Sequence, residues 1–335
     1  MPGIDFTVYK GSEGGKVVQA TAAGQALGPN EVLIRITHAG LCGTDLHFRG
    51  QDMVLGHEGV GVVQQIGAQV KHFKVGERAG WGYLHESCMS CESCFTGNEI
   101  LCSERHLYGT HEHDRGAFAS HAVWNENFLF HIPDAISSSD AAPMMCGGAT
   151  VFNALEKYGV RDTDRVGVIG VGGLGHFAIQ IAAKMGCEVV VFSSTESKKE
   201  EAMRLGATEF YPTKGVQELK IGRPLDQLLV TTSQQPDWNM YLPVMAPNST
   251  IFPLTVSEGD LKVPYFPLLA NAIRIQGCLP PSRAIHMKLL RFAAFHKIKP
   301  VIQEFPLTRE GIEEAMDRLD KGEIKYRAVL VADKA

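Results

Sequence analysis

Thiols carry the most specific chemical signal in this chain of 335 residues. Cys88, Cys91 and Cys94 stand in the run Cys-Met-Ser-Cys-Glu-Ser-Cys, and Cys102 follows after seven intervening residues. A Cys-x-x-Cys turn brings two sulfurs to one side of the backbone. Two overlapping turns and a fourth thiolate therefore close a tetrahedral shell around Zn2+, the form of a structural zinc. The competing reading is a redox-active or incidental cysteine cluster in a surface loop. Eight cysteines in all would also allow four disulfides. In a chain of this size without an export signal, however, clustered cysteines are more often metal ligands than bridges.

A second signal is Gly170-Val-Gly172-Gly173-Leu174-Gly175, after the apolar run Val166-Gly-Val-Ile169 and before the helical pattern Phe177 to Lys184. Between a buried strand and a helix, this pattern binds the pyrophosphate of a dinucleotide. Gly170 allows the tight turn, Gly172 lets the backbone approach the phosphates, and Gly175 lets helix and strand pack closely. The helix N-terminus adds free N–H groups and a partial positive charge. An NAD site usually ends the next strand in Asp or Glu, which accepts from the ribose 2′-hydroxyl. This chain has Ser193-Ser194-Thr195-Glu196-Ser197-Lys198-Lys199 there. Hydroxyls and ammonium groups suit a 2′-phosphate that a carboxylate would repel, so NADP(H) is expected over NAD(H). Two alternatives stand beside this: Ser193 or Ser194 only caps a helix whose lysines are solvated, or Glu196 turns inward.

A third set is scattered: Cys42 in Gly-Leu-Cys-Gly-Thr-Asp-Leu-His, His57 in Gly-His-Glu-Gly, and Cys146 in Pro-Met-Met-Cys-Gly-Gly. Two thiolates and an imidazole make an open zinc site, with the fourth position left for water or substrate. Without their neighbours, such residues are more often structural bystanders.

These groups need a scaffold of two kinds. Residues 31–38 alternate as a half-buried strand, and residues 60–81 continue in short apolar runs broken at glycines, which suggests a compact antiparallel barrel. From about residue 147 strands alternate with helical patterns, the mark of a parallel α/β sheet. Strands are expected at Val166–Ile169, Glu188–Phe192, Leu228–Thr231, Thr250–Phe252, Ile273–Gln276 and Ala328–Val331. Helices are expected at Phe177–Lys184, Glu196–Leu205, Arg283–Phe295 and Arg309–Leu319. A composition of 44% hydrophobic and 21% charged residues is that of a globular protein, and a net charge of −5 gives no reason to expect nucleic acid or an acidic membrane. Met1 to Gly15 has no apolar core flanked by basic residues, so a cytoplasmic setting is expected.

Taken together, Cys42-Gly-Thr44-Asp45-x-His47, Gly56-His57-Glu58-x-x-Gly61 with Gly67, the four-cysteine lobe and Gly-x-Gly-Gly-x-Gly resemble the zinc-containing medium-chain dehydrogenases. Within them the chain is most similar to the cinnamyl alcohol dehydrogenase branch, through residues 142–152, 193–199 and Lys325-Tyr-Arg327. The resemblance covers essentially the whole chain. It implies an α/β protein with a GroES-like, β-rich catalytic domain over 1–146 and a doubly wound Rossmann NADP(H)-binding domain over 147–283. A C-terminal segment, 284–335, would return to the catalytic domain, with the active site in the cleft between the two.

The resemblance also implies roles. Cys42, His57 and Cys146 would hold a catalytic zinc acting as a Lewis acid, with Glu58 behind it and Asp45 orienting His57. Cys88, Cys91, Cys94 and Cys102 would hold the second of two Zn2+ per chain. Thr44 would hydrogen-bond the substrate oxygen and pass a proton through the nicotinamide ribose to His47, which is otherwise an ordinary surface histidine. Thr150 and Thr231 would touch the cofactor, or serve as local cap and turn residues. The implied activity is hydride transfer between NADP(H) and an aldehyde/primary alcohol pair, with a small-molecule partner, no nucleic acid or membrane, and a homodimer formed at the edge of the Rossmann sheet. Reduction of an activated C=C bond is disfavoured by retention of Thr44 and His47. A non-catalytic role is disfavoured by the seven retained cysteine and histidine ligands. One departure stands out: only nine residues, Phe48 to Gly56, separate His47 from His57, and Gly109 to Phe118 also looks trimmed. Shortened loops at the substrate entrance imply a wide pocket for bulky aromatic or branched aldehydes, unless Trp81, Tyr83 or residues near Pro280 refill it.

Overall fold

A computed structural model describes residues 5–23, 27–257 and 259–333, which divide into two compact units, Met1–Ala149 with Pro280–Ala335 and Thr150–Leu279. In the first unit, β1 (Phe6–Lys10) and β2 (Val18–Ala22) form an antiparallel pair that the sequence pattern did not mark. The alternation after Glu31 becomes β3 (Glu31–Leu41), and the glycine-broken run that follows becomes β4 (Glu58–Ile66) and β5 (Arg78–Trp81). Gly59 leaves the space that the Trp81 ring fills, and that ring packs on Trp124 with centroids 5.1 Å apart. Trp81 is therefore a core residue of the sheet. Two short strands, β6 (Leu84–Glu86) and β7 (His106–Leu107), pair at the base of the cysteine lobe. β8 (His121–Asn125) pairs with β3, and β9 (Phe130–His131) with β5.

The second unit is a six-stranded parallel sheet. Its strands are β10 (Arg165–Ile169), β11 (Glu188–Ser193), β12 (Glu209–Pro212), β13 (Leu225–Val230), β14 (Met245–Pro253) and β15 (Arg274–Ile275), in the order β12-β11-β10-β13-β14-β15. That order reverses at β10, so the loop after β10 lies at the switch point where such sheets bind dinucleotides. β10 and β11 are buried along nearly their full length, as a sheet covered on both faces requires. The helix expected from Glu196 to Leu205 is instead a 3-10 turn, Glu196–Lys198, followed by an α-helix, Lys199–Leu205. Lys198, at φ −97° and ψ 1°, leaves helical geometry between the two. Two expected strands also end earlier: Thr231 lies just beyond β13, and β15 has only two residues.

The C-terminal residues rejoin the first sheet. β16 (Ile302–Pro306) runs parallel to β17 (Arg327–Val331), and β17 lies antiparallel to β3, so the path across the sheet is β16-β17-β3-β4-β5-β9. Helices Arg283–His296 and Arg309–Asp320 precede these strands closely as their periodicity indicates, the latter capped by the Thr308 hydroxyl. No helix among the described residues is long and apolar enough to cross a membrane.

Candidate active site

The cysteine lobe folds around its own sulfurs. A short helix, Glu92–Phe95, starts at Cys91, and a 3-10 turn, Glu99–Leu101, delivers Cys102. The carboxylate of Glu99 is buried and accepts from the backbone N–H of Arg283 at 2.6 Å, which anchors this turn to the helix beginning there. Sulfur separations are 3.9 Å for Cys88–Cys94, 3.6 Å for Cys91–Cys94, 3.7 Å for Cys91–Cys102 and 3.5 Å for Cys88–Cys102. No disulfide spans such distances. A tetrahedron with Zn–S bonds of about 2.3 Å has an edge of about 3.8 Å, so the four thiols fit a closed zinc shell. The Ser90 backbone and Cys102 hold Cys88 down at about 6, which favours a thiolate there.

A second group of donors converges in the same unit: Cys42, His57, Glu58 and Cys146 each bring one ligand atom within 4.8 Å of the others. Cys42 directly follows β3 and is the N-cap of the helix Gly43–Phe48, where Thr44 N–H donates to its sulfur at 3.4 Å. His57 directs Nε2 at that sulfur, 3.3 Å away, and Nδ1 at Asp45 Oδ1, 2.9 Å away. Oδ2 of Asp45 accepts from the backbone N–H of Cys42 at 3.0 Å. Asp45 thus closes a capping box and fixes the imidazole at once. Glu58 faces Gly40 across the β3–β4 ladder, and any side chain at Gly40 would collide with its carboxylate. One carboxylate oxygen pairs with Arg327, whereas Oε2 is buried without a hydrogen-bond partner. An orphaned carboxylate oxygen beside two thiols and an imidazole is a donor set that fits a divalent cation.

The electrostatics agree with that donor set. Cys42 is held well below the usual thiol range by its contact with Cys146 and by His57, and the same contact pushes Cys146 well above it. Burial alone would lower His57, but Asp45 and Cys42 outweigh it and raise the imidazole well above its ordinary value. Burial pushes Glu58 up to about 7 against the pull of Arg327. A cluster this charged and this buried is stable only with the charges mutually compensated.

Thr44 is half-buried beside Cys42, and His47 is exposed one helical turn on, at the i,i+3 spacing that shares a helix face. Two tyrosines complete the surroundings, Tyr108 without a sequence signal and Tyr83 already named as a residue able to refill the entrance. Tyr108 is fully buried, accepts from Gly56 N–H at 2.8 Å, and lays its ring 4.8 Å from that of His57. Tyr83 meets His57 edge-on at 5.6 Å. Arg327 did carry a signal: a guanidinium heading the apolar strand Ala-Val-Leu-Val is buried and requires an acidic partner.

In the second unit Gly170 adopts φ 95°, and a side chain at Gly175 would run into the Gly170 carbonyl. Nothing crowds the Cβ position of Gly172, and Gly173 and Leu174 lead into the helix Gly175–Lys184. Thr231 donates its hydroxyl to the Ile169 carbonyl at 2.7 Å, which is a turn-holding role. Lys198 donates to the Val171 carbonyl at 2.8 Å, so its ammonium stands on the glycine turn. Lys199 is instead exposed and paired with Glu196 at 2.8 Å, which turns that carboxylate outward to its own lysine. Ser193 is buried at the end of β11, and Ser194 is exposed. Neither caps a helix: the cap positions fall on Thr195, whose hydroxyl meets Ser197 at 2.9 Å, and on Lys198. Thr150 is buried in the helix Gly147–Lys157.

Comparison with known proteins follows the same lines. Residues 28–134 match the alcohol dehydrogenase GroES-like domain, and residues 173–294 match the zinc-binding dehydrogenase domain. The chain is 32% identical to NADP-dependent alcohol dehydrogenase C 1 of Mycolicibacterium smegmatis, over 94% of each chain. It is 33% identical to the aldehyde reductase AdhA of Synechocystis, over 92% of this chain and 93% of that one. Among solved structures, cinnamyl alcohol dehydrogenase SbCAD4 of Sorghum bicolor superposes with a TM-score of 0.89 at 28% identity, over 98% of both chains.

Proposed function

This chain belongs to the zinc-containing medium-chain dehydrogenases, in their cinnamyl alcohol dehydrogenase-like branch, and on that premise we propose that it is a zinc-dependent, NADP(H)-using aldehyde reductase. The coarser activity, interconversion of alcohols and aldehydes, is common to its relatives. The observation that carries the finer reading is the convergence of Cys42, His57, Glu58 and Cys146 around one buried point, with Asp45 fixing the imidazole.

In this reading Cys42, His57 and Cys146 hold the catalytic ion, and the four-cysteine lobe holds a structural one. When bound, zinc supplies Lewis acidity toward an oxygen and the nicotinamide supplies hydride. The chain's own residues do the rest. Asp45 keeps His57 in one ring orientation and one tautomer. Arg327 holds Glu58 in place behind the ligands while leaving its second oxygen free to approach the ion. Thr44 holds the substrate oxygen through its hydroxyl and hands the proton toward exposed His47, from which it reaches solvent. Gly170, Gly172, Gly173, Leu174 and Gly175 offer backbone N–H groups to the pyrophosphate, with Thr150 as a flanking contact and Thr231 holding the turn. Ser193, Ser194, Thr195 and Lys198 receive the 2′-phosphate.

The proposed substrates are aromatic or branched aldehydes. Of the side chains able to refill the space left by the short loops, Trp81 is committed to the sheet core, and Tyr83 beside His57 provides one aromatic wall. We assign the enzyme to the cytoplasm as a homodimer. In support of the dimer, Tyr265, Phe266 and Leu269 are exposed by 79%, 73% and 65% next to the edge strand β15, an apolar surface suited to a second copy. The test of substrate and cofactor is kcat/KM for benzaldehyde, cinnamaldehyde, a branched aliphatic aldehyde and acetaldehyde, each with NADPH and with NADH. The larger aldehydes with NADPH should lead. A sharp optimum for acetaldehyde would refute the wide pocket and leave the metal assignments untouched.

A further inference from the structure

At the base of the cysteine lobe, Glu86 of β6 lies directly opposite His106 of β7. Opposed residues of an antiparallel pair present their side chains on one face. Glu112 turns toward the same place from a backbone at φ 54°, in the left-handed region that a glutamate rarely adopts. His106 Nδ1 is 3.6 Å from Glu86 Oε2 and 3.5 Å from Glu112 Oε1. Behind them His85, 2% exposed, aims Nδ1 at the other Glu112 oxygen from 3.4 Å. His106 Nδ1, Glu112 Oε2 and both ring nitrogens of His85 are buried without a hydrogen-bond partner.

These spacings are informative. Charge-assisted hydrogen bonds close to about 2.7–2.9 Å, and these groups stop well short of that. A tetrahedron with bonds of about 2.1 Å to nitrogen and oxygen has an edge of about 3.4 Å, close to the separations found. The four-cysteine lobe likewise holds its sulfurs at shell-edge distances, with no disulfide among them. Charge also favours a cation. Glu86, Glu112 and Glu31 are set against the single guanidinium of Arg115, which reaches Glu112 at 3.4 Å and Glu31 at 3.3 Å. Three carboxylates thus face one guanidinium. The His111 ring stacks on His106 at 4.6 Å with planes 4° apart, which fixes the ligating ring.

We propose that Glu86, His106 and Glu112 form a third metal site, open at one position, for a divalent ion of the zinc class. His85 stands behind it, facing the rear oxygen of Glu112. An ion there ties the β6–β7 pair to the segment that follows it and so braces the base of the lobe. None of these residues belongs to the active site described above.

The test uses Zn2+ with freshly purified wild-type, E86Q and H106A enzyme, each saturated with the metal, freed of excess by gel filtration and measured by elemental analysis and thermal unfolding. Wild type should retain one zinc more per chain than either variant, and once saturated it should unfold at a higher temperature than both. Because the reading is a difference, it holds whatever the other two sites contain. Equal zinc content in all three proteins overturns the site, and so does a loss confined to H106A with E86Q unaffected. E86Q keeps the side chain's shape, so it reports on ligation separately from folding.

Discussion

Asp45 and His57 are joined through a 2.9 Å hydrogen bond between Oδ1 and Nδ1, and both side chains are fully buried. Because Asp45 Oδ2 also accepts from the backbone of Cys42, one carboxylate sets the positions of two candidate ligands. Asparagine in its place has a single acceptor, so one of the two bonds must fail. D45N should weaken zinc at the Cys42–His57–Cys146 site by about 10–100-fold, the usual effect of losing such a partner. Competition with a chromophoric chelator measures this, and wild-type affinity in D45N would remove Asp45 from the metal-holding role.

The two clusters should respond differently to loss of a cysteine. C42A is expected to fold and to lose aldehyde turnover, since it removes one of the proposed ligands of the catalytic ion. C94A should lose stability first, because the lobe has few apolar residues of its own and is organised by its ligands. Metal binding in small zinc modules supplies about 10 kcal/mol or more of folding free energy. Thermal unfolding and zinc content of the two variants check this together. A C94A enzyme as stable as wild type would show that the lobe does not depend on its ion.

Cofactor choice should follow the turn after β11. At least a tenfold preference for NADPH in kcat/KM is expected, equivalent to about 1.4 kcal/mol. K198A should reduce that preference, since Lys198 is the ammonium held over the glycine turn. S193D should shift it toward NADH. Equal efficiency of the wild type with both cofactors would refute this reading.

How far the sequence reaches is clear from particular residues. The cysteine spacing and the glycine pattern are local codes, in which the residues that act together are also close in the chain, and the structure places them accordingly. The roles of Lys198 and Lys199 were harder to separate, because both follow the same strand. Only the 3-10 turn sends one onto the glycine loop and the other to Glu196. Tyr108 and the Glu58–Arg327 pair were out of reach for a different reason. Arg327 is 269 positions from Glu58, and nothing but the return of β17 onto β3 brings them together. The helix Gly43–Phe48 was likewise unmarked, since six residues starting with glycine carry little helical propensity and the Cys42–Asp45 capping box holds them.

Acid should destabilise the protein through His286 before most carboxylates titrate. This side chain is buried, stacks on Phe130 with centroids 4.0 Å apart, and is pushed down by burial to about 3. Its folded pKa lies below the unfolded value of about 6.5, so the unfolded chain binds the extra proton. The stability conferred by keeping it neutral is complete above about pH 6.5 and is lost as pH falls toward 3. Between pH 6.5 and 5 the loss should be roughly 2 kcal/mol, at about 1.4 kcal/mol per pH unit. Denaturant unfolding of wild type and H286L across that range measures the difference, and parallel curves for the two proteins would show that His286 is not responsible.

The most direct measurement is single-enzyme turnover of cinnamaldehyde with NADPH, before zinc removal, after chelation, and after zinc is restored, with the product identified by mass. The expected result is cinnamyl alcohol formed in step with NADPH oxidation, lost on chelation and regained with zinc. Undiminished turnover without zinc, or the saturated aldehyde as product, would contradict a zinc-dependent aldehyde reductase.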